Sequence, residues 1–202
     1  MAGALTLVVV AGPLVDAAPA AALARRHAVM GRHMLRPGQM VRWYRATGTR
    51  PARRVRIGRL ARLFLQEGRA EGVRGDVAFA QSIVETNYFR FGGDVPPGAH
   101  NYAGLGAVGG GARGARFDSA RQGVRAQIQH LRAYADPTVT RRSLAHALVD
   151  PRFDLVAPKG KARSWERFGS GVWAADPTGY GRRILSVYRR IRATPARPQR
   201  RR

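Results

Sequence analysis

The chain has 202 residues and contains no cysteine, two lysines and only 12 acidic residues. Without cysteine there is no disulfide, thiol nucleophile or cysteine-ligated zinc, and the redox compartment stays open. The five histidines, at 27, 33, 100, 130 and 146, show no H-E-x-x-H or comparable ligand spacing. No structural or catalytic metal is therefore expected, and no cofactor. There is no internal repeat, helix-turn-helix pattern, basic repeat or RNA-binding aromatic pattern, so nothing points to a specific nucleic acid. Against the few acids stand 36 Lys+Arg, a formal net charge of +24. All of these but Lys159 and Lys161 are arginine, a bias that a GC-rich genome produces with no functional cause. Whatever its origin, such a surface adheres to polyanions: nucleic acid, anionic lipid or acidic wall polymers.

An apolar content of 45% is that of a globular protein, and the length suits one domain with trimmings. Residues 1–24 hold an apolar run, "ALTLVVVAGPLV", followed by small residues in A-x-A spacing up to Ala24. That pattern is an export signal or an N-terminal anchor, although the usual basic n-region is missing. Residues 25–54 form a basic lead-in in which "RPGQMVRWYRA" can make a short helix with Met40, Val41 and Tyr44 inward. Residues 55–193 carry the periodic signal of a mostly α domain. Ile57, Leu60, Ala61, Phe64 and Leu65 recur at helical spacing until Gly68 and Gly72. A second helix is expected from an Asp76 N-cap to the "FGG" at Phe91, with Val77, Ala80, Ile83 and Val84 inward.

A glycine-rich loop, or small hairpin, fills residues 94–117; loops of that length tend to be functional or disordered. A third helix opens near Ser119, shows Val124, Ile128, Leu131 and Ala135, and stops at Pro137. His130 lies opposite that stripe and reads as a structural histidine. A short helix is expected over Ser143 to Val149, and a final helix from about Thr178 with Tyr180, Ile184, Val187 and Ile191 on one face. Residues 194–202 are too poor in apolar side chains to fold and read as a disordered basic tail.

One carboxylate stands out. Glu85 ends an apolar helix and is followed by Tyr88, Phe89 and Phe91, then Gly92-Gly93. A solvated last-turn glutamate would look like this, and so would a carboxyl at the mouth of an aromatic cleft. The same ambiguity holds for Gln81, one turn earlier, and for Tyr180, which opens the stripe of the last helix.

Four blocks decide the matter in order: "DVAFAQSIVETNYFRFGGDV", "NYAGLGA", "RFDSARQGVRAQIQHLRAYA" and "GVWAADPTGYGRRI". Over about residues 55 to 192 the chain resembles the bacterial glucosaminidase domain of glycoside hydrolase family 73, related to the mannosyl-glycoprotein endo-β-N-acetylglucosaminidases. The resemblance implies a lysozyme-like helical fold. It also implies cleavage of the β-1,4 linkage between N-acetylglucosamine and N-acetylmuramic acid in peptidoglycan, by an exported, wall-associated autolysin. Glu85 matches the family's catalytic acid, and Tyr180 a functionally important tyrosine. Asn101, Tyr102 and Gly104 match the block lining the cleft, with Gln81, Tyr88 and Phe91 as further substrate-binding candidates. The expected partners are glycan strands and, through the basic surface, anionic wall polymers, with the protein as a monomer.

The chain departs from the family where many members follow the acid with S-G-W-G; here Thr86-Asn87-Tyr88-Phe89 stands instead. A second acid, if one acts, would be Asp94 or Asp118. Without one, the substrate's 2-acetamido oxygen would serve as nucleophile. The rival readings are a lytic transglycosylase or muramidase on the same glycan, and a non-catalytic wall- or polyanion-binding protein.

Overall fold

The computed structural model describes residues 27–92, 94–107, 113–169, 171–173 and 179–196. The segment 1–24, most of the basic tail and the glycine run 108–112 lie outside the described residues. The described residues form five complete α-helices: α1, Pro37–Ala46; α2, Ile57–Glu71; α3, Gly75–Glu85; α4, Ala120–Ala135; and α5, Tyr180–Ala193. Among the described residues there is no strand, only isolated bridges such as Gly92 with Val95. The mostly α, lysozyme-like expectation therefore holds. No helix among the described residues is long and apolar enough to cross a membrane.

Helix α3 is the axle. It is buried from Gly75 to Ile83 and packs against α2 on one side and α5 on the other, while α4 closes over α2. The α2–α3 corner is tight because both contact points are glycine. A Cβ on Gly75 would stand 2.0 Å from the Phe64 carbonyl oxygen, and one on Gly68 would stand 2.7 Å from the Gly75 Cα. Gly68 thus lies inside α2 instead of ending it; Gly72, at φ 69, is the residue that turns the chain. Asp76 does not cap α3. Its carboxylate is fully buried and accepts from the Met34 and Leu35 amides at 2.8 and 3.3 Å, tying the lead-in to the core. The lead-in is built into the domain: Met40, Trp43 and Tyr44 of α1 share one apolar cluster with Phe64, Phe79 and Ile184. Trp43, not Val41, is the fully inward neighbour. The first tail residues are held too, for Gln39 Nε2 donates to the Thr194 carbonyl at 2.7 Å.

Four of the acids, Glu67, Glu71, Asp76 and Asp150, are buried. Glu67 is buried and accepts from Arg121 and Arg125, at 2.5 and 2.8 Å. Glu71 holds Arg132 at 2.7 Å, and Asp150 holds His130 at 2.7 Å. The helix expected over Ser143 to Val149 is absent, and these groups are the reason. A 3₁₀ turn at Arg141–Ser143 is capped by Thr140, after which Ala145 donates its amide to Glu71 and Val149 to Gln129. Amide groups committed to side chains cannot form a helical ladder.

Candidate active site

Helix α3 stops at Glu85, well short of Phe91. Thr86 ends it by donating its hydroxyl to the Ser82 carbonyl at 2.6 Å and accepting from the Phe89 amide at 2.9 Å. The chain then turns left-handed, with φ 48, 60, 54 and 63 at Asn87, Tyr88, Phe89 and Phe91. Such backbone costs about 1–2 kcal/mol per L-residue and persists only where packing over-determines it. Here Phe89 is fully buried against Phe79 and Tyr102, and the Tyr44 hydroxyl donates to the Tyr88 carbonyl at 2.6 Å. The strained turn leaves the Glu85 carboxyl at the open end of the helix.

Glu85 is half-buried and lines a cavity of about 220 Å³ with Phe91, Asp94, Asn101 and Gly104. Its Oε1 accepts twice: from the Tyr180 hydroxyl and from Trp173 Nε1 at 3.2 Å. Its Oε2 stands beside Gly104, where a Cβ would lie 3.6 Å away. With both donors on Oε1, a proton on the carboxyl belongs on Oε2. Burial raises the Glu85 pKa above the ordinary carboxylate value, against the opposing pull of Tyr180, Trp173 and the Arg183 charge. The Tyr180 phenol is pushed far up, first by its own burial and then by Glu85, so it remains a donor.

Behind this pair runs a buried amide relay. Gln81 Nε2 donates to the Tyr180 hydroxyl at 2.9 Å, Gln127 Nε2 donates to Gln81 Oε1 at 2.8 Å, and Ser82 Oγ donates to Gln127 Oε1 at 2.9 Å. Gln81 is fully buried, so it orients Tyr180 and does not reach a ligand, contrary to its place among the substrate-binding candidates.

The other expected residues divide. Asn101 organises the loop: its amide nitrogen donates to the Leu105 and Ala115 carbonyls, and its oxygen accepts from the Leu105 amide at 3.0 Å. Gly104, at φ 64, is part of the same wall, in backbone that glycine adopts without cost. Phe91 and Asp94 share the cavity with Glu85. Tyr88 does not; it faces another cavity, stacks on Trp43 and neighbours Arg190. Tyr102 is buried among Phe64, Phe89 and Phe91 with its phenol pushed up to about 12 by burial, and it borders a separate cavity with Asp118. Asp118 is thus not brought to Glu85.

The residue that sequence reasoning passed over is Trp173. It packs against Tyr134, Phe168 and the edge of His130, whose Nδ1 is fixed by Asp150. Its signal was a tryptophan in the loop just before Tyr180, in the quoted "GVWAADPTGY" block. No group of His, Asp or Glu side chains among the described residues could hold a metal.

Residues 61–193 match the glucosaminidase family model, described as mannosyl-glycoprotein endo-β-N-acetylglucosaminidase. An uncharacterised protein of Borreliella burgdorferi is 35% identical over 120 residues. That match covers 59% of this chain, and the chain spans 56% of that relative's length. No solved structure matches. With two-thirds of its length matched, and Glu85 held at a cavity between Tyr180 and Trp173, the chain belongs to the glucosaminidase family.

Proposed function

We propose that the protein is an endo-β-N-acetylglucosaminidase that hydrolyses the N-acetylglucosaminyl-β-1,4-N-acetylmuramyl bond of peptidoglycan, with Glu85 as general acid. The observation that carries this reading is the Glu85 carboxyl itself. It is lifted in pKa by burial, gripped by two donors on one oxygen, and open to a cavity on the side of the other. Cleaving a glycoside requires protonation of a poor leaving-group oxygen as positive charge grows on the ring. The proton on Oε2 goes to that oxygen, and Tyr180 and Trp173 stabilise the carboxylate left behind. The sugar's 2-acetamido oxygen attacks the anomeric carbon, Asp94 meets the developing charge from the same cavity, and Glu85 then deprotonates the incoming water. This route retains anomeric configuration.

The test is a digest of purified peptidoglycan followed by mass spectrometry of the new ends. Reducing N-acetylglucosamine ends support the reading. Anhydro-muramyl ends would make the protein a lytic transglycosylase, and reducing N-acetylmuramic acid ends a muramidase. Glu85→Gln should lower turnover about 10²–10⁴-fold while keeping fold and glycan binding. We further infer export and wall retention. N-terminal sequencing of protein from the wall fraction should find cleavage near Ala24. Removing residues 194–202 should weaken salt-sensitive binding to sacculi and leave turnover of short glycans intact.

A further inference from the structure

A second cavity, of about 300 Å³, opens where the start of α2 meets the 97–100 turn and the start of α4. It is lined by Arg53, Arg54, Arg56 and Arg59 above His100 and Tyr102, and shares no residue with the Glu85 cavity. Arg121, Arg125 and Arg132 each meet a buried carboxylate. The four cavity arginines are exposed, and among the described residues none of them enters an ion pair or a side-chain hydrogen bond. Asp118 is the one carboxylate in the lining, so the cavity keeps a large positive excess. His100, also in the lining, has its pKa lowered by burial and then by the charges of Arg59 and Arg116. Like charges held together without a counter-ion repel, and a bound anion removes that cost.

We propose that this cavity binds a phosphate group. Guanidinium forks match phosphate oxygens two at a time, and several arginines suit its double charge. The volume is at the lower end of the roughly 300–1,000 Å³ of small-ligand pockets, enough for a phosphate carrying a small substituent. The group belongs either to free phosphate or to a phosphodiester of an anionic polymer. The site does not depend on the hydrolytic reading, and its test does not use turnover.

The experiment follows the His100 ring resonances by NMR at constant ionic strength, titrating inorganic phosphate in one arm and poly(glycerol phosphate) in the other. The expected result is a saturable shift with an upward move of the His100 pKa, as the bound anion offsets Arg59 and Arg116. Arg56→Gln and Arg59→Gln, both at exposed side chains, should each weaken binding by about tenfold. Arg189→Gln, on α5 and outside this cavity, should not. Tighter binding per phosphate to the polymer identifies a phosphodiester ligand, and the reverse identifies free phosphate. A shift that does not saturate, or equal weakening by Arg189→Gln and Arg59→Gln, means diffuse attraction to a +24 surface and overturns the proposal.

Discussion

The Tyr180 phenol donates a hydrogen bond to Glu85 Oε1 across 95 residues of sequence, joining the first turn of α5 to the last of α3. The bond favours the ionised carboxyl, whereas burial favours the neutral one, and burial wins. Tyr180→Phe keeps the buried ring and removes the donor, so the Glu85 pKa should rise further. The alkaline limb of kcat/KM, which reports loss of the acid's proton, should then move to higher pH, with kcat about tenfold lower. Trp173→Phe should shift the limb in the same direction. A pH–rate profile of each variant on a soluble glycan checks both. An unmoved limb in both would take Tyr180 and Trp173 out of the acid's environment.

A carboxyl of this kind should cost the fold something. The folded chain holds the Glu85 proton through a window that opens at the ordinary value near 4.5, while the unfolded chain has already released it. The folded state binds more protons there, so this group's contribution to stability falls as pH rises through the window. Glu85→Gln should accordingly raise the Tm more at pH 7 than at pH 4, by thermal unfolding at the two values. An equal change at both would show the pKa to be ordinary.

Asp94 and Asp118 separate by cavity. Asp94→Asn should reduce turnover of soluble glycans by about 10²-fold, and Asp118→Asn by at least about tenfold less. The stereochemistry, read by NMR of the first-formed product anomer, should be retained. An inverted anomer would assign Asp94 the role of base to a water.

Gly75→Ala tests the corner that sets α3. With 2.0 Å between the new methyl and the Phe64 oxygen, α2 and α3 must separate, at about 3 kcal/mol or more. Gly98→Ala, with nothing within 4 Å, should change stability by less than about 0.5 kcal/mol. Denaturant unfolding of both variants decides the point.

The helix stripes were legible because burial imposes a 3.6-residue period: every residue named for the faces of α4 and α5 is buried. Glu85 was visible as a carboxylate out of place. What could not be read was direction beyond a helix end. Nothing in "TNYFRF" announces a left-handed turn, so Tyr88 and Phe91 looked equivalent although one faces Trp43 and the other the cavity. Gln81 and Trp173 exchanged importance for a similar reason. A polar residue one turn from Glu85 on the same helix suggests contact, yet α5 occupies that space, and the true neighbour comes from a distant loop.

The inward use of the acids has a further consequence for how copies of the protein meet. Glu67, Glu71, Asp76 and Asp150 are all sealed inside, and their charges are matched by arginine or histidine. Asp118, Asp154 and Glu166 are exposed among the described residues, but with a net charge of +24 repulsion between like copies outweighs any interlocking of alternating charge. Neighbours spread over an anionic surface should instead hold one another at arm's length, at a spacing that tracks the Debye length of about 10 Å at 0.1 M salt. Coverage would saturate as a dispersed layer, and added salt, while loosening each molecule's grip, would let the layer crowd.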